Sequence, residues 1–207
     1  MFTSCRCSRH QACQPSRGRA IFDGMKSVAM VIVVGLSALQ ASRVVAGPAP
    51  VAPDVPAAIR VPAGAKLIEM LHATGAQVYG CAATDGKYGW TLRRPDATLA
   101  DAKGGEAGKH GAGPSWTAKD GSAVTGAKVA QADAPGGAAI PWLLLRATST
   151  SGKGRFSPVS FVQRLATKGG KAPATGCDAA HDGKELRVDY SADYYFYAGG
   201  AGKPDRP

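Results

Sequence analysis

Residues 108–122, GKHGAGPSWTAKDGS, place a histidine, a tryptophan, two lysines and an aspartate among glycines in one short span. His110 is the residue there best suited to proton chemistry, because imidazole titrates near neutrality. Glycines on both sides read as a loop, where backbone can approach a ligand closely. In a functional reading His110 acts as a general base or ligand hydrogen-bonder, oriented by Asp120 or Asp101. The plainer reading is preferred: a loop histidine whose ring bonds a backbone carbonyl and orders the turn, since the sequence fixes no partner for it. Trp116 and Trp142 suit a platform for sugar rings or flat ligands, and equally suit burial as core anchors. In the closing DYYFY motif, Tyr195 and Tyr197 share one face of a strand and Tyr194 shares the other with Phe196. One of these faces is expected in the core and the other as an exposed aromatic patch.

Other chemistries find less support. His72 and His181 do not complete a recognisable metal signature with His110, so no metal or cofactor is expected. The chain contains no GxSxG motif and no GxGxxG following a strand. The candidate ligand-binding set is therefore His110, Trp116, Asp120, Tyr195 and Tyr197, without an assigned catalytic residue.

The elements that must hold these residues read as strands. A hydrophobic fraction of 44% supports a packed core, and 27 glycines with 14 prolines in 207 residues favour short strands and turns over long helices. Asp85-Gly86 and Asp120-Gly121 are hairpin signals. Ala65 to Thr74 reads as a strand, turned at Gly75 into a partner around Gln77-Tyr79 that ends near Cys81. Tyr88 to Leu92 reads as a strand stopped by Pro95, with a helical turn at Ala97 to Ala102. After Pro141, Trp142 to Leu145 reads as a central strand buried on both faces, followed by strands over Pro158 to Thr167, over Leu186 to Tyr190 and over Asp193 to Tyr197. The expected fold is all-β, a single sandwich or barrel-like domain over residues 63–198, followed by a flexible tail over 199–207.

The N-terminus reads as a secretory leader. Lys26 and upstream arginines precede the apolar run Val28 to Leu39, and Val44-x-Ala46 provides a small-residue cleavage site. Residues 1–46 are thus expected as a signal segment with an over-long n-region, and 47–62 as a proline- and alanine-rich linker. The apolar run is shorter than the roughly 20 residues a membrane helix needs, so no stable span is expected after processing. The formal charge of +10 is deceptive, because six of the 25 basic residues and one of the 15 acidic ones precede Gly47. The rest are scattered singly, which argues against nucleic-acid binding. Export to the periplasm or extracellular space makes a Cys81–Cys177 disulfide the default for the two cysteines beyond the leader.

TGAQVYGC, the GKHGAGPSW-DGS stretch, IPWLLLRATS, VQRLATKGGKAP and YSADYYFY together resemble domain-of-unknown-function family 3455 from about Thr74 to Tyr197. Gly111 departs from the family pattern, which often has an aromatic after the histidine. The resemblance implies an exported protein and assigns no activity; a dehydrogenase label carried by some fungal members finds no motif here. The sequence therefore leads to an exported binding or interaction module for an unknown small molecule, a carbohydrate or an envelope polymer, and leans away from an enzyme. The alternatives are a secreted hydrolase using His110 with Asp120 or Asp193, and a purely structural envelope role.

Overall fold

A computed structural model describes residues 51–200. The expected leader and most of the expected tail lie outside the described residues. Eight strands follow in order: β1 (Ala65–Thr84), β2 (Lys87–Ala100), β3 (Glu106–Gly111), β4 (Ser115–Ala118), β5 (Ala123–Ala132), β6 (Trp142–Ser151), β7 (Val159–Gly169) and β8 (Glu185–Gly199). Each pairs antiparallel with the next, and β8 pairs with β1. The sheet thus closes into a ring, removing the free edges that an open sheet exposes. It is an irregular ring, because β3 and β4 are far shorter than the strands beside them.

The two strand faces sort by period two. Along β8, Tyr190, Ala192, Tyr194 and Phe196 point into the ring with Leu71, Leu99, Trp116 and Val162. Tyr197 points outward and packs with Leu144, Phe161 and Leu165. The first part of β6 is covered on both faces as its sequence predicts, with Leu145 inside and Leu144 outside, while Arg146 and Thr148 beyond it are exposed.

The outer cluster is covered by the described part of the segment expected to be a linker. A single 3-10 turn at Ala57–Ile59 buries Ile59 completely and Val55 nearly so. The Gln163 side chain fixes this strap: its Nε2 donates to Ile59 O at 2.7 Å, and its Oε1 accepts from the Tyr197 hydroxyl at 2.6 Å. A buried amide is thereby satisfied at both ends.

Both aspartate–glycine signals form hairpins. Asp85 and Gly86 have φ of 50° and 74° between β1 and β2, as a type I′ turn requires. Four local expectations are corrected. Gly75 is not a turn; β1 runs straight through it, and a Cβ at this position would collide with Asp96 O and Ala97 Cα of β2. Pro95 does not stop β2, because the pairing of β2 with β3 begins only at Ala97 and the proline interrupts no ladder on that side. Residues 97–100 are strand, not helical turn, since Ala97 and Leu99 alternate into the core. Leu186 to Tyr190 and Asp193 to Tyr197 belong to the single strand β8.

The disulfide joins Cys81 on β1 to Cys177 in the β7–β8 loop, with Cα atoms 5.4 Å apart across 96 residues of sequence. Around it, Cys81 N donates to Lys184 O at 2.9 Å and Gly183 N to Cys81 O at 3.0 Å.

Candidate functional site

His110 lies in β3, not in a loop. It pairs with Ala97 of β2 on one side and Trp116 of β4 on the other. Of the glycines around it, Gly108 has a packing role: a Cβ there would run into Thr117 O of β4. The imidazole is almost fully buried and stacks on the Trp116 indole, with centroids 4.7 Å apart and planes 8° from parallel. The Tyr194 ring closes against it at 4.9 Å. Nδ1 sits 2.8 Å from Ser115 O. A carbonyl oxygen only accepts, so Nδ1 carries the proton and Nε2 is left as the ring's acceptor. Burial holds the His110 pKa down to about 4; the Ser115 carbonyl opposes this and the charge of Arg164 adds to it. At neutral pH the ring is uncharged.

His110, Trp116 and Tyr194 form part of the wall of a half-open cavity of about 300 Å³ inside the ring, together with Gln77, Leu145 and Arg164. The wall opening follows from strand lengths. β3 and β4 have 6 and 4 residues between β2 with 14 and β5 with 10, which leaves a notch beside the short hairpin. β2 contributes Leu92, Arg93, Arg94 and Pro95 to its rim, and β5 contributes Lys128 and Gln131. A bulge presents Arg93, since Val78 pairs with Arg94 while Tyr79 pairs with Leu92.

Three lining residues hold polar atoms that are closed off from solvent. Gln77 Nε2, Trp116 Nε1 and Tyr194 OH make no hydrogen bond of ordinary geometry, the Tyr194 hydroxyl lying near the Tyr190 hydroxyl and Arg164. Leaving such a group unpaired costs about 1–3 kcal/mol. Arg164 projects from β7 beside them, its Nε and Nη2 both donating to Pro141 O at 3.1 and 2.8 Å. Burial raises the Tyr194 pKa, keeping its phenol protonated and able to donate.

The other residues singled out from sequence lie elsewhere. Asp120 is in the β4–β5 turn, at the end of the ring opposite the β3–β4 turn that borders the cavity. It accepts from the Ser122 hydroxyl at 2.6 Å and from Ser122 N and Arg155 N at 2.9 Å, which hold its pKa down to about 2. Ser122 Oγ in turn accepts from Phe156 N, and Phe156 stacks on Phe196 to plug that end. Asp101 accepts from Lys103 N and Gly105 N within its own turn. Asp193 bonds His72 Nδ1 at 2.7 Å on the outer surface. None of these carboxylates hydrogen-bonds His110. Tyr195 and Tyr197 face outward against the strap cluster, so DYYFY contributes Tyr194 to the cavity instead. Trp142 also packs with that outer cluster.

Gln77 and Arg164 were missed from sequence, although a signal existed. Once β1 is one strand, Gln77 shares the parity of Leu71 and Ala73, and Arg164 shares that of Val162; a polar residue on an apolar face marks a buried polar site. Among the described residues no group of three or more His, Cys, Asp or Glu side chains forms a metal site.

Residues 62–198 match the family described as Protein of unknown function (DUF3455). No curated protein and no solved structure matches the chain.

Proposed function

The chain belongs to the DUF3455 family, and from the geometry of the cavity we propose that it is an exported binding protein for a small molecule held inside the ring. The observation that carries this is a half-open cavity inside the ring lined by Gln77, His110, Trp116, Tyr194 and Arg164, where His110 Nε2 has no hydrogen bond among the described residues. A ligand hydroxyl would meet that acceptor, and ligand oxygens would meet the N–H groups that Arg164 does not spend on Pro141. At about 300 Å³ the space suits one ring-sized ligand, or the terminal residue of a polymer. Trp116 backs the His110 ring on one face, its own N–H being closed off from the cavity. His110 receives a ligand hydroxyl at Nε2 and stays neutral. Without a carboxylate behind it, the imidazole lacks the usual support of a hydrolytic base, which favours binding over hydrolysis. Export rests on the tripartite leader, with the Cys81–Cys177 disulfide suited to an oxidising compartment.

Gln77→Leu separates binding from folding. It removes an unpaired buried amide, so the ligand-free protein should melt at the same temperature or higher, while a ligand found by thermal-shift screening of sugars and small acids should bind about tenfold more weakly in calorimetry. A variant that binds every such ligand as tightly as wild type would show that the cavity is not the site.

A further inference from the structure

Resting on that reading, we infer that the ligand is an anion whose carboxylate, or similarly charged oxygen group, is set against Arg164. The charges around the cavity are one-sided. Arg93, Arg94, Lys128 and Arg164 line it, and no aspartate or glutamate does. Arg94 is already neutralised by two hydrogen bonds to Glu185, at 2.8 and 3.2 Å. Arg93, Lys128 and Arg164 have no ion-pair partner among the described residues.

Arg164 is the telling member. It is half-buried and sits across from Tyr194 in the β7–β8 register, on the inward face of β7. Its partners are neutral: the Pro141 carbonyl occupies two of the five guanidinium N–H groups, and the Tyr194 hydroxyl lies close by. A guanidinium drawn away from water without a counter-charge is costly, and a planar carboxylate is the group its fork matches best. Lys128 and Arg93 at the notch would draw the same charge inward and speed its capture.

Two chemical sources fit, an aromatic or aliphatic acid and an acidic sugar. Calorimetry with the full mature domain separates them using matched probes: benzoate against benzamide, and glucuronate against glucose. The anionic member of at least one pair should bind about tenfold or more tightly than its neutral counterpart, as expected for a charge-assisted hydrogen bond. That preference should weaken with added salt. Arg164→Gln should abolish it. Should that variant fail to fold through loss of the Pro141 contact, Arg93→Gln with Lys128→Gln at the exposed rim should reduce the association rate for the anion and leave the neutral probe unaffected. Equal affinities within both pairs, tighter binding of the neutral members, or no binding of either anion overturns the inference. A neutral ligand whose affinity falls in Gln77→Leu would sink the anion assignment alone and leave the binding cavity standing.

Discussion

His110 shows how far environment resets a side chain. The same imidazole that would titrate near neutrality in water is held down to about 4 by burial between Trp116 and Tyr194. The unfolded chain therefore takes up a proton between about pH 6.5 and pH 4 that the folded protein refuses. Stability contributed by the neutral ring is complete above pH 6.5 and declines as pH falls through that window, by an amount on the order of 3 kcal/mol for a shift of this size. His110→Phe retains a flat ring for the Trp116 stack and has no proton to gain. Urea denaturation across this pH range should show a flatter profile for the variant than for wild type; parallel profiles would mean that His110 is accessible to water in the folded protein. The donors on Gln77, Trp116 and Tyr194 present the opposite case, polar groups held in place without the partners that would stabilise them.

At the scale of elements, the strap over residues 55–61 is the clearest departure from what its composition suggests. Prolines at 53, 56 and 62 make it extended, yet Val55 and Ile59 dock on the outward faces of β6, β7 and β8. Ile59→Ala should destabilise the protein by about 2–5 kcal/mol, the range for emptying a fully buried aliphatic site, as read from the denaturation midpoint. A shift below about 0.5 kcal/mol, the level of an ordinary surface substitution, would mean that the strap is not docked in solution.

Strands were more legible than their roles. Asp85-Gly86 and Asp120-Gly121 revealed their hairpins because positive φ is a local demand that only a few residue types meet. Gly75 and Gly108 misled, since a glycine that lets two backbones approach looks the same in sequence as one that turns a chain. Reading Gly75 as a turn broke β1 in two and hid the parity of Gln77. His110 and Trp116 stood out by residue type, whereas Gln77 and Arg164 needed the register, which is a long-range property. Choosing between the faces of DYYFY needed the strap, whose docking no local pattern announces.

For the molecule as a whole, the two ends of the ring differ in construction. The end bearing Asp120, Ser122 and Phe156 is tied by hydrogen bonds and filled by stacked phenylalanines. The other end is held by covalent and backbone links on the β7–β8 loop: the disulfide, the Cys81 pairings with Gly183 and Lys184, and the Tyr79 hydroxyl donating to Gly170 O at 2.6 Å. A cross-link spanning 96 residues stabilises by up to about 4–5 kcal/mol on chain-entropy grounds. The paired Cys81→Ser, Cys177→Ser variant should unfold at clearly lower denaturant than the oxidised protein, and the oxidised protein treated with reductant should fall to the same midpoint. Unchanged midpoints in both would show that the two sulfurs are not joined.

The abbreviated β3–β4 hairpin has a kinetic consequence. Its notch is framed by the margins of two longer strands and by cationic side chains. A guest would pass in or out beside Lys128, while every ladder in the sheet stays intact. Its dwell time would then follow from the strength of its grip on the inner wall, so changes to the guest that leave its charge alone should register in the off-rate far more than in the on-rate.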